Sequence, residues 1–277
     1  MGPGAAMQPL IRLPIFLRLI REFDFPRKLG ICEQLFGARL EPHGVCWVKT
    51  AAGPAWKLDL AEVTHRWIVY GKYEGAAFLD WARAFLPPDG VVVDSGANLG
   101  QMALYLAQWI PSGRMLAIEP GKEQADWLEE CLHANPQLPV ELIRAGLGDR
   151  TETLRLSSEG IASKHGAQNR ISETVGESIP VIRLEDALAE RGLTRVDLWK
   201  LDVEGFEIRA LRGAESLLRA QTINAIYAEL HGDHGYKILK HLQGLGYTCH
   251  LFQRNGSLKA TDKLPEHTNG LFLPARS

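Results

Sequence analysis

The stretch VVVDSGANLGQ (Val91–Gln101) decides how this chain is read. Val91 to Val93 form an apolar β-branched run, the composition of a strand buried on both faces. An acid, Asp94, closes the run. Gly96 and Gly100 then interrupt it, and QMALYLAQWI follows with Met102, Tyr105, Leu106 and Trp109 at helical spacing. Strand, glycine turn and helix start, in that order, aim backbone N–H groups and a helix N-terminus at a ligand. The glycines let backbone and ligand approach closely.

Downstream the pattern repeats. RMLAIEP is a second short apolar run, followed by a helix from about Lys122 to Ala134 that stops near Asn135-Pro136. VELIRAGLG reads as a third strand. VDLWKLDVEG reads as a fourth, leading into a helix with Ile208, Leu211, Ala214 and Leu218 on one side. INAIYAEL is a fifth, before a helix from about Gly235 to Gly244. Strands alternating with helices predict parallel βαβ units covered on both faces, an α/β fold. YTCHLF and NGLFLP are expected to pair as a C-terminal hairpin through a loop containing Asn255-Gly256. Between the third and fourth strands, the polar segment Thr151–Pro180 reads as a mobile loop or irregular hairpin beside the ligand site, or as an insertion without a role.

Upstream, residues 1–85 carry short strand-like pieces (GVCWVKT, AWKLDL) among glycines and prolines, a cap region ahead of a main domain at 86–277. MQPLIRLPIFLRLIREFDF is apolar but broken by Arg12, Arg18 and Arg21. It is too short for a membrane span and lacks a small-residue cleavage site. Phe16, Leu19, Ile20 and Phe23 form one helical stripe, which predicts either packing on the main domain or peripheral contact with a membrane or lipid-linked substrate. The 277 residues are 45% hydrophobic and 23% charged, with a net charge of −2. That is an ordinary soluble composition, without the basic excess of a nucleic-acid binder. Cys32, Cys46, Cys131 and Cys249 form no CxxC pair. They read as buried thiols of a reducing compartment, so a cytoplasmic location is expected.

The turn does not read as a dinucleotide site. Counted from Gly96, the second and third glycines of G-x-G-x-x-G fall on Asn98 and Gln101. The pattern acidic-x-G-x-G-x-G fits better, with Asp94, Gly96 and Gly100 in place and Asn98 at the middle position. An acid at the first strand's end is a poor neighbour for a pyrophosphate and suits the cationic methionyl end of S-adenosylmethionine. A nicotinamide-dependent oxidoreductase, or a non-catalytic binding protein of the same fold, are the alternatives. Glu119 ends the second strand and is placed to accept hydrogen bonds from both ribose hydroxyls. Gly148 and Asp149, in AGLGD, end the third strand where an adenine edge would lie, though Asp149 equally suits a turn. Tyr70, Tyr73 and Glu74 precede the first strand and suit either a lid over the methionyl group or helix packing.

VVVDSGANLGQ, AIEP, AGLGDR, VIRLEDAL, LWKLDVEGFE and the upstream RWIVYGKYEGAAFLDW together resemble the FkbM family of class I S-adenosylmethionine-dependent methyltransferases. The resemblance runs from about Leu58 to the C-terminus. It implies a Rossmann-like, mostly parallel seven-stranded sheet with an antiparallel C-terminal hairpin. It implies methyl transfer to a hydroxyl on a sugar, glycan or natural product. Pro120 joins the cofactor residues through AIEP. Ser95 departs from the apolar or small residue common at its position.

A hydroxyl is a weak nucleophile and needs a general base or a metal. Asp202, Glu204 and Glu207 follow the fourth strand, Glu207 in a helix turn where it complements the dipole. Glu229 and His231 end the fifth strand and share a face. Three readings stay open. His231 is the base oriented by a carboxylate, or Asp202, Glu229 and His231 bind a divalent metal, or His231 and His234 are loop residues.

Overall fold

The computed structural model describes residues 10–21, 23, 25, 27–49, 53–71, 76–157, 170–172, 176–253 and 255–275. The N-terminal part comprises β1 (Leu10–Ile11), α1 (Ile15–Ile20), α2 (Lys28–Leu40), β2 (Val45–Lys49), β3 (Ala55–Asp59) and α3 (Val63–Tyr70). Its strands form a small sheet in the order β1-β2-β3. One apolar cluster joins Leu17, Val48, Trp56 and Tyr70 to Leu104 and Trp127, so this cap is seated on helices of the main domain. The next helix, α4 (Ala76–Phe85), packs with the main sheet although the expected boundary at residue 85 places it in the cap. Its Phe78 ring stacks on Tyr227 with centroids 3.7 Å apart.

The main domain alternates β4 (Val91–Ser95), α5 (Gln101–Leu106), β5 (Arg114–Ile118), α6 (Lys122–His133) and β6 (Val140–Ile143). Four strands then leave the main sheet: β7 (Gly146–Leu147), β8 (Glu152–Ser157), β9 (Arg170–Ser172) and β10 (Glu177–Ile182). After α7 (Leu184–Ala189) come β11 (Leu198–Leu201), α8 (Glu207–Arg212), α9 (Glu215–Arg219), β12 (Ile226–His231), α10 (Gly232–Gly244), β13 (Tyr247–Phe252), β14 (Leu258–Ala260) and β15 (His267–Pro274). The main sheet runs β14-β13-β15-β12-β11-β4-β5-β6. The strands from β12 to β6 are parallel, β15 runs antiparallel to β12, and β13 runs antiparallel to β15. Alternate residues of β4 bury into opposite layers, Val91 and Val93 into one and Val92 into the other. That explains a continuous rather than alternating apolar run. The chain leaves β4 toward β5 and returns to β11 on the other side. This reversal opens a crevice at the strands' C-terminal ends, where ligands of such sheets bind.

Three expectations need correction. Among the described residues the sheet has eight strands, because the short β14, which follows Asn255-Gly256, pairs with β13. The expected YTCHLF–NGLFLP pairing is present as β13–β15, across the connection 253–266 that contains Asn255-Gly256 and β14. VELIRAGLG is two strands. β6 lies in the main sheet, and β7 pairs with β10 outside it. Within the segment 151–180, residues 158–169 and 173–175 lie outside the described residues, and residues 152–157, 170–172 and 177–180 belong to strands that form, with β7, a second sheet in the order β7-β10-β8-β9. Leu154 and Leu156 of β8 and Ile179 and Val181 of β10 form its apolar face, against which Phe206 packs. Their period-two spacing sits inside a polar composition, which masks it. All four cysteines are buried and free.

Candidate active site

The turn after β4 is held by its backbone. Gly96, Asn98 and Gly100 have φ of +72°, +49° and +85°. A Cβ on Gly96 would lie 1.8 Å from the Asp202 carbonyl oxygen, so only glycine lets this turn cross the end of β11. The Gly96 and Ala97 N–H groups donate to Ile118 O at 3.0 and 3.1 Å, fastening the turn to the end of β5. Glu119 completes the join. Its Oε2 accepts from Asn98 N and its Oε1 from Gly121 N, both at 2.8 Å. Burial raises the Glu119 pKa, while the two N–H bonds favour the anion and oppose that rise.

Beside Glu119 lies an open pocket at the ends of β4, β5 and β11. Ile118, Leu147 and Leu156 give it an apolar wall, and Glu119, Gln124, Asp202 and Glu204 supply polar groups. A buried carboxylate with lone pairs to spare can accept from two hydroxyls, and the wall suits a flat ring. Behind the turn, Lys200 Nζ sits 3.1 Å from Asp202 Oδ2, 3.6 Å from Asp94 Oδ1 and 3.1 Å from Gly96 O. Burial lowers the Lys200 pKa, but Asp202, Asp94 and Glu119 together outweigh it and keep the ammonium charged. Burial raises the Asp94 pKa against the pull of Lys200. Three carboxylates thus surround one ammonium.

Gly96, Asn98, Glu119, Pro120 and Asp202 line this cavity together. Others of the expected residues do other work. Asp94 is fully buried behind the turn, facing Lys200 rather than the cavity. Gly100 admits Leu128, whose Cδ1 would lie 2.3 Å from a Cβ there, so it serves helix packing. At Gly148 a Cβ would lie 2.6 Å from Val181 Cγ1, and its N–H donates to Ile182 O at 2.9 Å. Asp149 accepts from Arg209 Nη2 at 2.7 Å, tying α8 to the second sheet. The third strand's contribution to the wall is Ala145, Gly146 and Leu147 instead. Tyr70 is buried in the cap with its hydroxyl donating to Glu33 Oε2 at 2.8 Å, which excludes it as a lid. Tyr73 and Glu74 lie outside the described residues.

A second cluster stands at the ends of β11 and β12. His231 Nε2 is 2.5 Å from Glu229 Oε1, and its Nδ1 is 2.6 Å from His267 Nδ1. Both ring nitrogens are therefore engaged. Burial raises the Glu229 pKa, the His231 bond opposes this, and Asp202 and Glu207 add to it. The carboxylates of Asp202, Glu207 and Glu229 are thus electrostatic neighbours. Glu207, read from sequence as a dipole complement, is only 3% exposed. Its Oε1 accepts from Val203 N at 3.0 Å and Gly205 N at 3.1 Å, and its Oε2 lies 2.6 Å from His234 Nε2. Among the described residues His234 Nδ1 has no hydrogen-bond partner. Sequence reasoning gave this pair no role. The signal was a buried-type carboxylate in a glycine turn followed by a histidine on the next strand's helix. Among the described residues no group of three or more His, Cys, Asp or Glu side chains is arranged to hold a metal ion.

A family model described as the methyltransferase FkbM domain matches residues 94–249. That span runs from the acid of β4 into β13 and holds both clusters except His267. "Methyltransferase sdnD" of Sordaria araneosa is 31% identical over 163 residues, 48% of this chain and 63% of that one. "31-O-demethyl-FK506 methyltransferase FkbM" of Streptomyces tacrolimicus is 28% identical over 194 residues, 59% of this chain and 74% of that one. "Hexuronic acid methyltransferase AglP" of Haloferax volcanii is 25% identical over 143 residues, 52% of this chain and 56% of that one. The match thus spans less than two thirds of the length of sdnD and AglP. The glycine turn pinned by Glu119 and the acidic strand ends lie within the matched domain, and the chain belongs to the FkbM methyltransferase family.

Proposed function

We propose that this chain is an S-adenosylmethionine-dependent O-methyltransferase that acts on a hydroxyl of a sugar or other small hydroxylated molecule. The observation that carries the cofactor is Glu119. It is a buried carboxylate fixed by two backbone N–H groups at the wall of the pocket that the strand ends form. Its free lone pairs accept from the two ribose hydroxyls. Ile118, Leu147 and Leu156 sandwich the adenine, and Asp202 faces the cationic end. The names of two relatives, one a 31-O-demethyl-FK506 methyltransferase and one a hexuronic acid methyltransferase, support an oxygen acceptor.

When bound, S-adenosylmethionine supplies a methyl group on a sulfonium, and the carbon–sulfur electron pair stays on sulfur as a thioether. The chain's own residues then have two tasks, alignment and proton removal. Asp202 and Glu229 present carboxylate oxygens that accept from acceptor hydroxyls. His234 Nδ1 takes the proton of the reacting hydroxyl. Its Nε2–H donates to Glu207, which holds the ring and balances the imidazolium that forms. His231 is not assigned this role, because Glu229 and His267 occupy both its nitrogens.

The test is calorimetric titration with S-adenosylmethionine, S-adenosylhomocysteine and NADH, followed by radiolabelled methyl transfer to a panel of hexuronates, neutral sugars and polyketide alcohols. Binding of the first two ligands and label recovered in an alkali-stable ether support the reading. Binding of NADH alone, or label recovered only on nitrogen or carbon, overturns it.

A further inference from the structure

The cap exposes a concentration of large apolar side chains. Leu10, Ile15, Phe16, Leu19 and Phe23 are 60% exposed or more, as is Leu35 of α2, and Ile31 stands beside it at 39%. The rest of the described chain adds only Val63 and Tyr236 at comparable exposure, so the feature is local. Its α1 and α2 parts adjoin. The Phe16 and Phe36 rings meet at 6.3 Å, joining α1 to α2, and Ile31 and Leu35 lie one turn apart on α2. Leu13 and Leu17 anchor the segment in the cap core. Ile15 and Leu19 sit about 160° round the helix from Leu17 and so point directly away from the protein. Of the expected stripe of Phe16, Leu19, Ile20 and Phe23, Ile20 packs against the core that the cap shares with the main domain, whereas Phe16, Leu19 and Phe23 are exposed. Isolated apolar residues on a surface need no explanation, but a contiguous patch does.

The charge around the patch names its partner. Arg12, Arg18, Arg27 and Arg39 are exposed in the same segment. Residues 10–40 hold six basic and three acidic side chains, on a chain whose net charge is −2. One of the acids, Glu33, is drawn inward by Arg66 and Tyr70 and does not offset the exposed arginines. A second copy of this chain would bring arginines against arginines. An anionic lipid surface offers opposite charge at its headgroups and apolar depth beneath. An apolar helix face flanked by arginines is the pattern of an interfacial helix. No helix among the described residues is long and apolar enough to cross a membrane.

We propose that the α1–α2 face of the cap docks reversibly on an anionic phospholipid bilayer, with Ile15, Phe16, Leu19 and Leu35 entering the interface and the arginines at the headgroups. The inference stands apart from the methyltransferase reading, since it uses none of the cavity residues.

The experiment is flotation of the full chain with vesicles of phosphatidylcholine containing 30% phosphatidylglycerol, against pure phosphatidylcholine vesicles, at 0.1 and 0.5 M NaCl. The wild type is expected to float with the anionic vesicles at low salt, at least tenfold less with the neutral ones, and less at high salt. The Phe16→Asp/Leu19→Asp double variant is expected to lose flotation at least tenfold while keeping its thermal midpoint and S-adenosylmethionine affinity, because both residues already face solvent. Arg12→Gln/Arg18→Gln should lose the preference for anionic lipid. Absence of wild-type flotation, or equal flotation of the Asp double variant, overturns the proposal. So does a concentration-dependent dimer of the wild type in equilibrium sedimentation that the Asp double variant abolishes, since the face would then belong to a second copy.

Discussion

Glu207 Oε2 and His234 Nε2 lie 2.6 Å apart, with the carboxylate buried and its other oxygen fixed by the N–H groups of Val203 and Gly205. An imidazole so held has one tautomer and one free lone pair. His231, three residues earlier, has the same chemistry and neither freedom. His234→Ala is expected to lower kcat by roughly 10²–10⁴-fold, the usual span for a general base, with cofactor affinity unchanged. Glu207→Gln should lose a smaller share, since it keeps the shape and removes the balancing charge. Single-turnover methyl transfer with bound cofactor reads both. If His231→Ala loses as much as His234→Ala does, the proton passes through the Glu229–His231 pair and the assignment fails.

Glu119 carries the cofactor prediction. Glu119→Ala removes an anionic acceptor of two hydroxyl bonds and should cost about 2–4 kcal/mol of binding, a rise in Kd of roughly 30- to 1,000-fold. Acid should do the same. The burial-raised pKa of Glu119 means that S-adenosylmethionine binding starts to weaken at a higher pH than an ordinary glutamate would give. Its folding contribution has the opposite sign. A carboxyl whose folded pKa is raised contributes stability fully below its unfolded pKa and loses it as pH rises through the folded one. Titrations of binding and of chemical denaturation, wild type against Glu119→Ala, should therefore diverge on mild acidification. Parallel curves would mean that the carboxylate does not meet the ligand.

In the cap, Glu33 latches Arg66. Arg66 Nη2 donates to Glu33 Oε1 at 2.7 Å, and its Nη1 donates to Leu60 O and Ala61 O at 2.6 and 3.0 Å. The bond from Arg66 is the main reason that the Glu33 pKa is lowered, with Tyr70 assisting against burial. A carboxyl lowered in the fold contributes stability above its unfolded pKa and loses it as pH falls through the folded value. Glu33→Ala leaves a mostly buried guanidinium without its carboxylate and should cost about 2–4 kcal/mol near neutrality. It should also flatten the acid limb of the stability curve below about pH 4.3. Urea denaturation at pH 7 and pH 4 measures both. An unchanged acid limb would place the titrating group elsewhere.

The parts legible in the sequence are those where one physical demand dominates. β4, β5, β11 and β12 are buried on both faces, so their apolar runs stand out without any alternation to decode. Gly96 is legible because its position demands a positive φ and no Cβ. Lys200 was not, because a lysine inside LWKLDV reads as a side chain escaping to solvent. Only the fold shows that Asp94 and Asp202 converge on it. Glu207 was discounted because a glutamate at a helix start already has a sufficient local explanation. Its burial against His234 is a contact 27 residues away. The second sheet escaped because its apolar positions in β8 and β10 are few and set among charges.

Ser95 makes the last case. From the sequence it is a mild departure within the family pattern, without consequence. In the fold its Oγ accepts the indole N–H of Trp199 at 2.7 Å, and both residues are fully buried. Trp199 is among the largest side chains in the core, and its N–H has no other outlet there. Ser95 is also the residue from which the chain enters the Gly96 turn, and its carbonyl accepts from Asp202 N at 3.2 Å. Ser95→Ala removes one partner and strands a buried donor, which should cost about 1–3 kcal/mol. Ser95→Thr keeps the hydroxyl but adds a methyl to a closed site and should cost a similar amount by overpacking. The informative variant is the double change Ser95→Ala/Trp199→Phe, which removes donor and acceptor together. Denaturant unfolding should show it recovering part of the Ser95→Ala loss, as a coupling of at least about 0.5 kcal/mol between the two sites. Strict additivity would mean that the hydroxyl–indole bond adds nothing beyond the packing of the two side chains.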